Sequence, residues 1–132
     1  MKRYFLILAV ILFASCHKEA NNHILKIGKT TEIKLGETAY NAQYGLSLSV
    51  ENIQDSRCPN GATCVWAGYA SVQLHLTTKL DNYDFTLYTL VNAVFKNDTI
   101  IESFKYKLID VVPYPVVGEK PPVKTVKILV SR

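Results

Sequence analysis

Apolar residues recur at every second position along most of this chain, and that period commits it to strands. Ala70, Val72, Leu74 and Leu76 form the clearest stripe, set against Tyr69, Ser71, Gln73, His75 and Thr77. Successive side chains of a strand point to opposite faces, so such a stripe is one buried face with a polar one behind it. Leu46, Leu48 and Val50 repeat the pattern against Ser47, Ser49 and Glu51, and Ile33 shares a side with Leu35 before Gly36 closes that segment. Tyr83, Phe85 and Leu87 share a side in a strand-like run over 83–90. A further strand spans 104–112, and Val126, Ile128 and Val130 line the last. Val94-Phe95 and residues 99–101 flank Lys96-Asn97-Asp98, which reads as a tight hairpin turn. Pro113-Tyr114-Pro115 and Pro121-Pro122 bracket a stretch that cannot enter a sheet interior, because proline lacks the amide donor. Residues 113–122 therefore read as a stiff, protruding loop. Some seven short strands, with connections too short for crossover helices, predict an all-β fold: one antiparallel β-sandwich, Ig-like or small and barrel-like.

The amino terminus follows a different rule. Met1-Lys2-Arg3 precedes an unbroken apolar run over 4–13, then Ala14-Ser15-Cys16. A charged start, a short apolar segment and small residues before a thiol read as an export signal. The run is too short for a membrane span, which takes roughly 20 apolar residues. The position of Cys16 makes the segment resemble a bacterial lipoprotein signal, with Phe13 the one departure from the usual pattern. The resemblance implies that residues 1–15 are removed and that Cys16 is lipidated on its thiol and acylated on its new amino group. Each buried methylene contributes about 0.8 kcal/mol, so two or three acyl chains (palmitate, for instance) anchor permanently. Residues 16–23 then serve as lipidated cysteine and polar tether, and 24–132 form the domain. Lys18-Glu19 also resembles signals that send some lipoproteins to the outer cell surface. The expected location is the cell envelope, at the outer membrane, with either face open.

Processing changes what composition means. The mature chain from Cys16 has 117 residues, enough for one core, and losing Lys2 and Arg3 lowers the formal charge from +4 to +2. No run of Lys or Arg marks a nucleic-acid surface. With Cys16 given to lipid, Cys58 and Cys64 remain, and an even pair in an exported chain predicts a disulfide. Closing so small a loop contributes about 2 kcal/mol.

Those two cysteines lie in the densest cluster of unusual residues, Asp55-Ser56-Arg57-Cys58-Pro59-Asn60-Gly61-Ala62-Thr63-Cys64-Val65-Trp66-Ala67-Gly68. Here the chain resembles a group of small bacterial lipoproteins and exported proteins. They share an Asp-Ser-Arg-Cys-Pro start, a second cysteine about six residues on, then Trp, Gly and a strand. Leu108-Ile109-Asp110-Val111-Val112-Pro113-Tyr114-Pro115 is similar to the same group, and the likeness extends over 31–130. It implies location and architecture, and no activity. The residues themselves allow two readings. In the architectural one the bridge pins a strand connection, Trp66 covers the bridge or the open end of the sandwich, Asp55 caps the turn, Arg57 pairs with Asp55 or with carbonyls, and Gly68 supplies a bend. In the other the segment is a recognition loop built on Arg57, Trp66 and Tyr69, with Tyr114 nearby, since Arg, Trp and Tyr anchor interfaces.

Catalytic and metal chemistry find thin support. The histidines after the signal are His17, His23 and His75, two of them at the tether and the third on a polar strand face. Cys58 and Cys64 lack the two-residue spacing of zinc or redox motifs. No glycine-framed serine appears, and Asp81, Asp84, Asp98, Glu102 and Asp110 are scattered. The expected function is a non-catalytic binding or accessory domain held at the membrane through Cys16, without cofactor or metal, acting on an envelope protein. An inhibitor-like module presenting its two unusual loops to an envelope protease is the alternative, and a metal-binding or enzymatic protein using His75 a second one.

Overall fold

The computed structural model describes residues 23–120 and 122–132; the signal segment, Cys16 and residues 17–22 lie outside them. All nine elements among the described residues are strands: β1 (His23–Ile24), β2 (Thr30–Lys34), β3 (Thr38–Asn41), β4 (Leu46–Asp55), β5 (Ala70–Thr77), β6 (Asn82–Tyr88), β7 (Asp98–Ile101), β8 (Phe104–Val112) and β9 (Thr125–Ser131). They form two sheets, ordered β1-β3-β4-β5-β6 and β2-β9-β8-β7, packed as a sandwich. Every pairing of these strands is antiparallel except that of β1, which runs parallel to β3. Its first residue, His23, which the sequence places at the end of the tether, is opposite Ala39 in that ladder.

The core is the sum of the alternating stripes. Leu46, Leu48 and Val50 from β4 and Ala70, Val72, Leu74 and Leu76 from β5 meet Tyr106, Leu108 and Val111 from β8 and Val126, Ile128 and Val130 from β9. Two bulges adjust the register. One falls between Val50 and Asn52, the other between Leu108 and Asp110. An extra residue slips the alternation by one, so Val111 faces the core where an uninterrupted strand would have buried Asp110. Ile109, the inserted residue, is exposed.

Three expectations about element ends are corrected. Strand β2 ends at Lys34, so Leu35 leaves the side of Ile33 and is exposed. The β6 strand stops at Tyr88 rather than at residue 90. Lys96-Asn97-Asp98 is no hairpin turn: Asp98 already pairs with Lys107, and the chain reverses at Glu102-Ser103, between the partners Ile101 and Phe104. Both turn residues have positive φ, 47° and 67°, the conformation that matches a two-residue hairpin to strand twist.

Because the strands alternate in direction, the connections sort to two ends. Residues 25–29, 42–45, 78–81 and 102–103 join strands at one end, which we call the turn end. Residues 35–37, 56–69, 89–97 and 113–124 gather at the other, the loop end.

Candidate functional site

The long loops at the loop end are held by an ion cluster that starts from the last residue of β4. Asp55 accepts from Arg57 Nε at 2.8 Å and Nη2 at 2.6 Å, a two-pronged pairing that suits the planar guanidinium. It also accepts from Lys124 Nζ at 2.8 Å. Each cation reaches onward. Arg57 Nη2 donates to the Val111 carbonyl at 2.7 Å, and Nη1 lies 3.4 Å from Asp110; Lys124 donates to the Pro113 carbonyl at 2.7 Å. The exits of β4 and β8 and the entry to β9 are thereby tied at one point. The side chains of Asp55 and Arg57 are each 7% exposed, and that of Lys124 14%. Burial pushes the Asp55 carboxyl up, but the hydrogen bonds from Arg57 and Lys124 outweigh it and bring the pKa down to about 2. The bond to Asp55 raises Arg57, against the opposing effect of burial.

Around this cluster the loops 56–69 and 113–124 are joined as one piece. The guanidinium carbon of Arg57 lies 4.4 Å from the centre of the Tyr114 ring, a cation–π contact. Asn60 bridges Val116: Asn60 donates to the Pro115 carbonyl at 2.9 Å, and Val117 donates to the Asn60 carbonyl at 3.1 Å. The loop expected to protrude from Pro113 is thus docked against the disulfide loop, in which Cys58 is bonded to Cys64. The two legs of that loop approach closely where Ser56 donates to the Tyr69 carbonyl and Cys58 to that of Ala67. Gly68 makes the approach possible: its φ is +68°, and a Cβ there would stand 1.9 Å from the Ser56 carbonyl oxygen.

The four proposed recognition residues divide. Arg57 and Tyr114 come together. Tyr69 turns to the other side and packs with Tyr88 and Phe95, ring centres 5.8 and 4.7 Å away, beneath the loop 89–97. Trp66 covers neither the bridge nor the end of the sandwich as a buried lid would; it is 72% exposed. Beside Tyr114 a groove of ≈ 600 Å³ runs between the 35–37 turn and the 113–124 loop, walled by Leu35, Ile53, Tyr114, Pro115 and Val123, with Asp55 and Lys124 at its polar side. Of the two residues that complete the cluster, Lys124 is not singled out by the sequence, and Asp110 stands there only in the second similar segment and among the scattered carboxylates. The apolar surface that Leu90, Val91 and Val94 expose on the third loop is not singled out either.

His75 lies elsewhere, on the outer face of the five-stranded sheet. Its Nδ1 is 2.6 Å from Asp84, and its Nε2 3.4 Å from the Thr77 hydroxyl. Asp84 is 83% exposed, so water screens the pair and leaves it little electrostatic leverage. Among the described residues no three His, Cys, Asp or Glu side chains converge on a metal position. Among them, too, no helix is long and apolar enough to cross a membrane.

Comparison with family models, with curated proteins and with solved structures gave no match.

Proposed function

We propose that this chain is a lipid-anchored envelope protein whose β-sandwich is a non-catalytic binding domain, with the loop end as its working surface. The observation that carries the reading is the joining of the loops 56–69 and 113–124 through the Asn60–Val116 bridge and the Arg57–Tyr114 contact. A loop fixed in advance loses little freedom on binding. This surface is fixed three times over, by a disulfide, a backbone bridge and a buried ion cluster. The anchor comes from Cys16 and the signal-like residues before it.

The inhibitor-like alternative draws on the same feature, since it requires both loops at one end of the sandwich, and they are there. It differs in the partner, an envelope protease engaged by the exposed Val65 and Trp66.

Two measurements test the main reading. Palmitate incorporation and membrane fractionation should separate the native protein from Cys16→Ser, which remains unlipidated; acylation of the variant would refute the anchor. A photocrosslinker at position 114 in intact envelopes should give adducts in excess of one at position 103, on the turn end. Equal yields would refute the loop end as the binding surface.

A further inference from the structure

Exposed apolar surface is distributed unevenly over the two ends. Of the fifteen large apolar side chains exposed among the described residues, ten lie on the loops and turn of the loop end. Val65 is fully exposed, Trp66 72%, Val94 77%, Val123 66%, Val91 61% and Val117 55%. Charge is distributed the other way. The loop 56–69 carries one charged residue, Arg57, and it is buried; the loop 89–97 carries only Lys96. Glu119 and Lys120 offset one another on the loop 113–124, Lys124 is held in the buried cluster, and Glu37 of the 35–37 turn pairs with His23 at 2.8 Å. The turn end reverses the chain through polar pairs such as Gly28-Lys29, Thr78-Lys79 and Glu102-Ser103. In its connections Leu80 is the one large apolar side chain exposed among the described residues. An apolar end rimmed by aromatic residues and poor in charge matches a lipid interface better than a water-facing surface.

The path of the chain favours the same occupant. Strand β1 runs parallel to β3, away from the loop end, so His23 is the end of that strand nearer the loops. His23 is level with Ala39, and Ala39 with Leu48. From Leu48 to Asp55, at about 3.3 Å per residue, the sheet rises roughly 20 Å towards the loops. The segment from Cys16 to Asn22 spans at most about 25 Å when fully extended. With the loops turned towards the anchor, a lipid on Cys16 leaves a tether just long enough to bring them to the bilayer, with almost no spare length.

We infer that the partner of the loop end is the bilayer itself: the sandwich sits loops-down on the membrane, with Trp66, Val117 and Val123 in the headgroup and upper acyl region. This rests on the anchored reading above and names the ligand of the same surface, a phospholipid interface. The disulfide and the Asp55 cluster hold the apolar loops splayed against it, and the turn end faces the aqueous compartment.

Trp66 is the only tryptophan in the chain, so emission excited at the red edge, where tyrosine does not absorb, reports on the loop end alone. The full-length lipidated protein is reconstituted into phosphatidylcholine vesicles in which a fraction of the lipid is brominated high on its acyl chains. After flotation, Trp66 emission should be blue-shifted and largely quenched relative to vesicles without bromine. Val117→Asp combined with Val123→Asp, both exposed positions, should still float and should recover much of the lost emission. Unshifted, unquenched emission in floated vesicles would overturn the loops-down arrangement and leave the anchor standing. Failure to float would overturn the anchored reading, and this inference with it.

Discussion

Replacing Asp55 with asparagine removes the charge on which the loop end is fastened, and two separate routes give the size of the loss. Breaking a buried ion pair by deleting one partner costs about 3–5 kcal/mol, because the remaining charge stays buried. Here two cations are left. Arg57 keeps the Val111 carbonyl and Asp110, and Lys124 keeps the Pro113 carbonyl and some contact with water. The lower edge of that range applies, about 3 kcal/mol. The second route is the titration of Asp55. Its pKa falls from 3.8 to about 2 on folding, which corresponds to roughly 2 kcal/mol with some allowance for screening by water. A folded-state pKa below the unfolded one adds stability that is complete above pH 4 and disappears as pH falls towards about 2. Urea unfolding followed by circular dichroism at pH 7 should then show Asp55→Asn less stable by about 2–3 kcal/mol, with the midpoint lowered and the slope unchanged. Repeating the measurement from pH 5 down to pH 2 should narrow the gap, since the native carboxylate is itself becoming neutral. A loss below about 1 kcal/mol at pH 7, or a gap that stays constant with pH, would refute the assignment of Asp55 as the fastening charge.

Gly68→Ala should cost more than about 2 kcal/mol in urea, because left-handed backbone and a collision with the Ser56 carbonyl act together, whereas Gly28→Ala, at φ +77° with open space around it, should cost only about 1 kcal/mol. Reducing the Cys58–Cys64 bridge, or replacing both cysteines with serine, should cost about 2 kcal/mol and speed amide exchange chiefly within 56–69. Tyr106 is fully buried, and its hydroxyl has no hydrogen-bond partner among the described residues. Tyr106→Phe should therefore lose no stability in thermal unfolding and gain up to about 1 kcal/mol. Burial, with Glu102 nearby, pushes the Tyr106 pKa up to about 12. The raised value means that native stability erodes as pH climbs from 10 to about 12, a loss that the phenylalanine variant should lack.

What the sequence reveals and conceals follows from how local each cause is. The stripes on β4, β5, β8 and β9 depend only on neighbours two apart, and β8 has the bounds its pattern predicts, 104–112. The pairing of Arg57 with Asp55, two residues away, is legible for the same reason. Lys124 and Asp110 are not, because they lie 69 and 53 residues from the partners they meet. The hairpin at Glu102-Ser103 is hidden because neither residue is the Gly or Asn that normally announces positive φ. What holds it is tertiary: Glu102 accepts from the Thr78 hydroxyl and from Tyr83, each at 2.9 Å. Trp66 departs from its expected place because a large ring signals burial only where a covering layer exists, and its loop offers none.

An end of the molecule with so much exposed apolar surface needs its loops held by something other than surface charge. Ordinary surface fastenings, such as the cross-strand pair of Lys105 with Asp98 at 2.8 Å, lie in water and are worth little. The loop end places its ions underneath. Asp55, Arg57 and Lys124 point inward and bond three strand ends together, so their charges stay off the outer surface. The same burial that strengthens the cluster thus keeps charge away from the apolar loops it supports. Weakening it should therefore appear twice, as lost stability and as a change in the environment of Trp66, eleven residues along the chain from Asp55. Asp55→Asn in floated vesicles is expected to retain the anchor while Trp66 becomes less quenched and more variable between preparations. If quenching were unaltered in a variant that had lost about 2–3 kcal/mol, the cluster would stabilise the sandwich without positioning the loops.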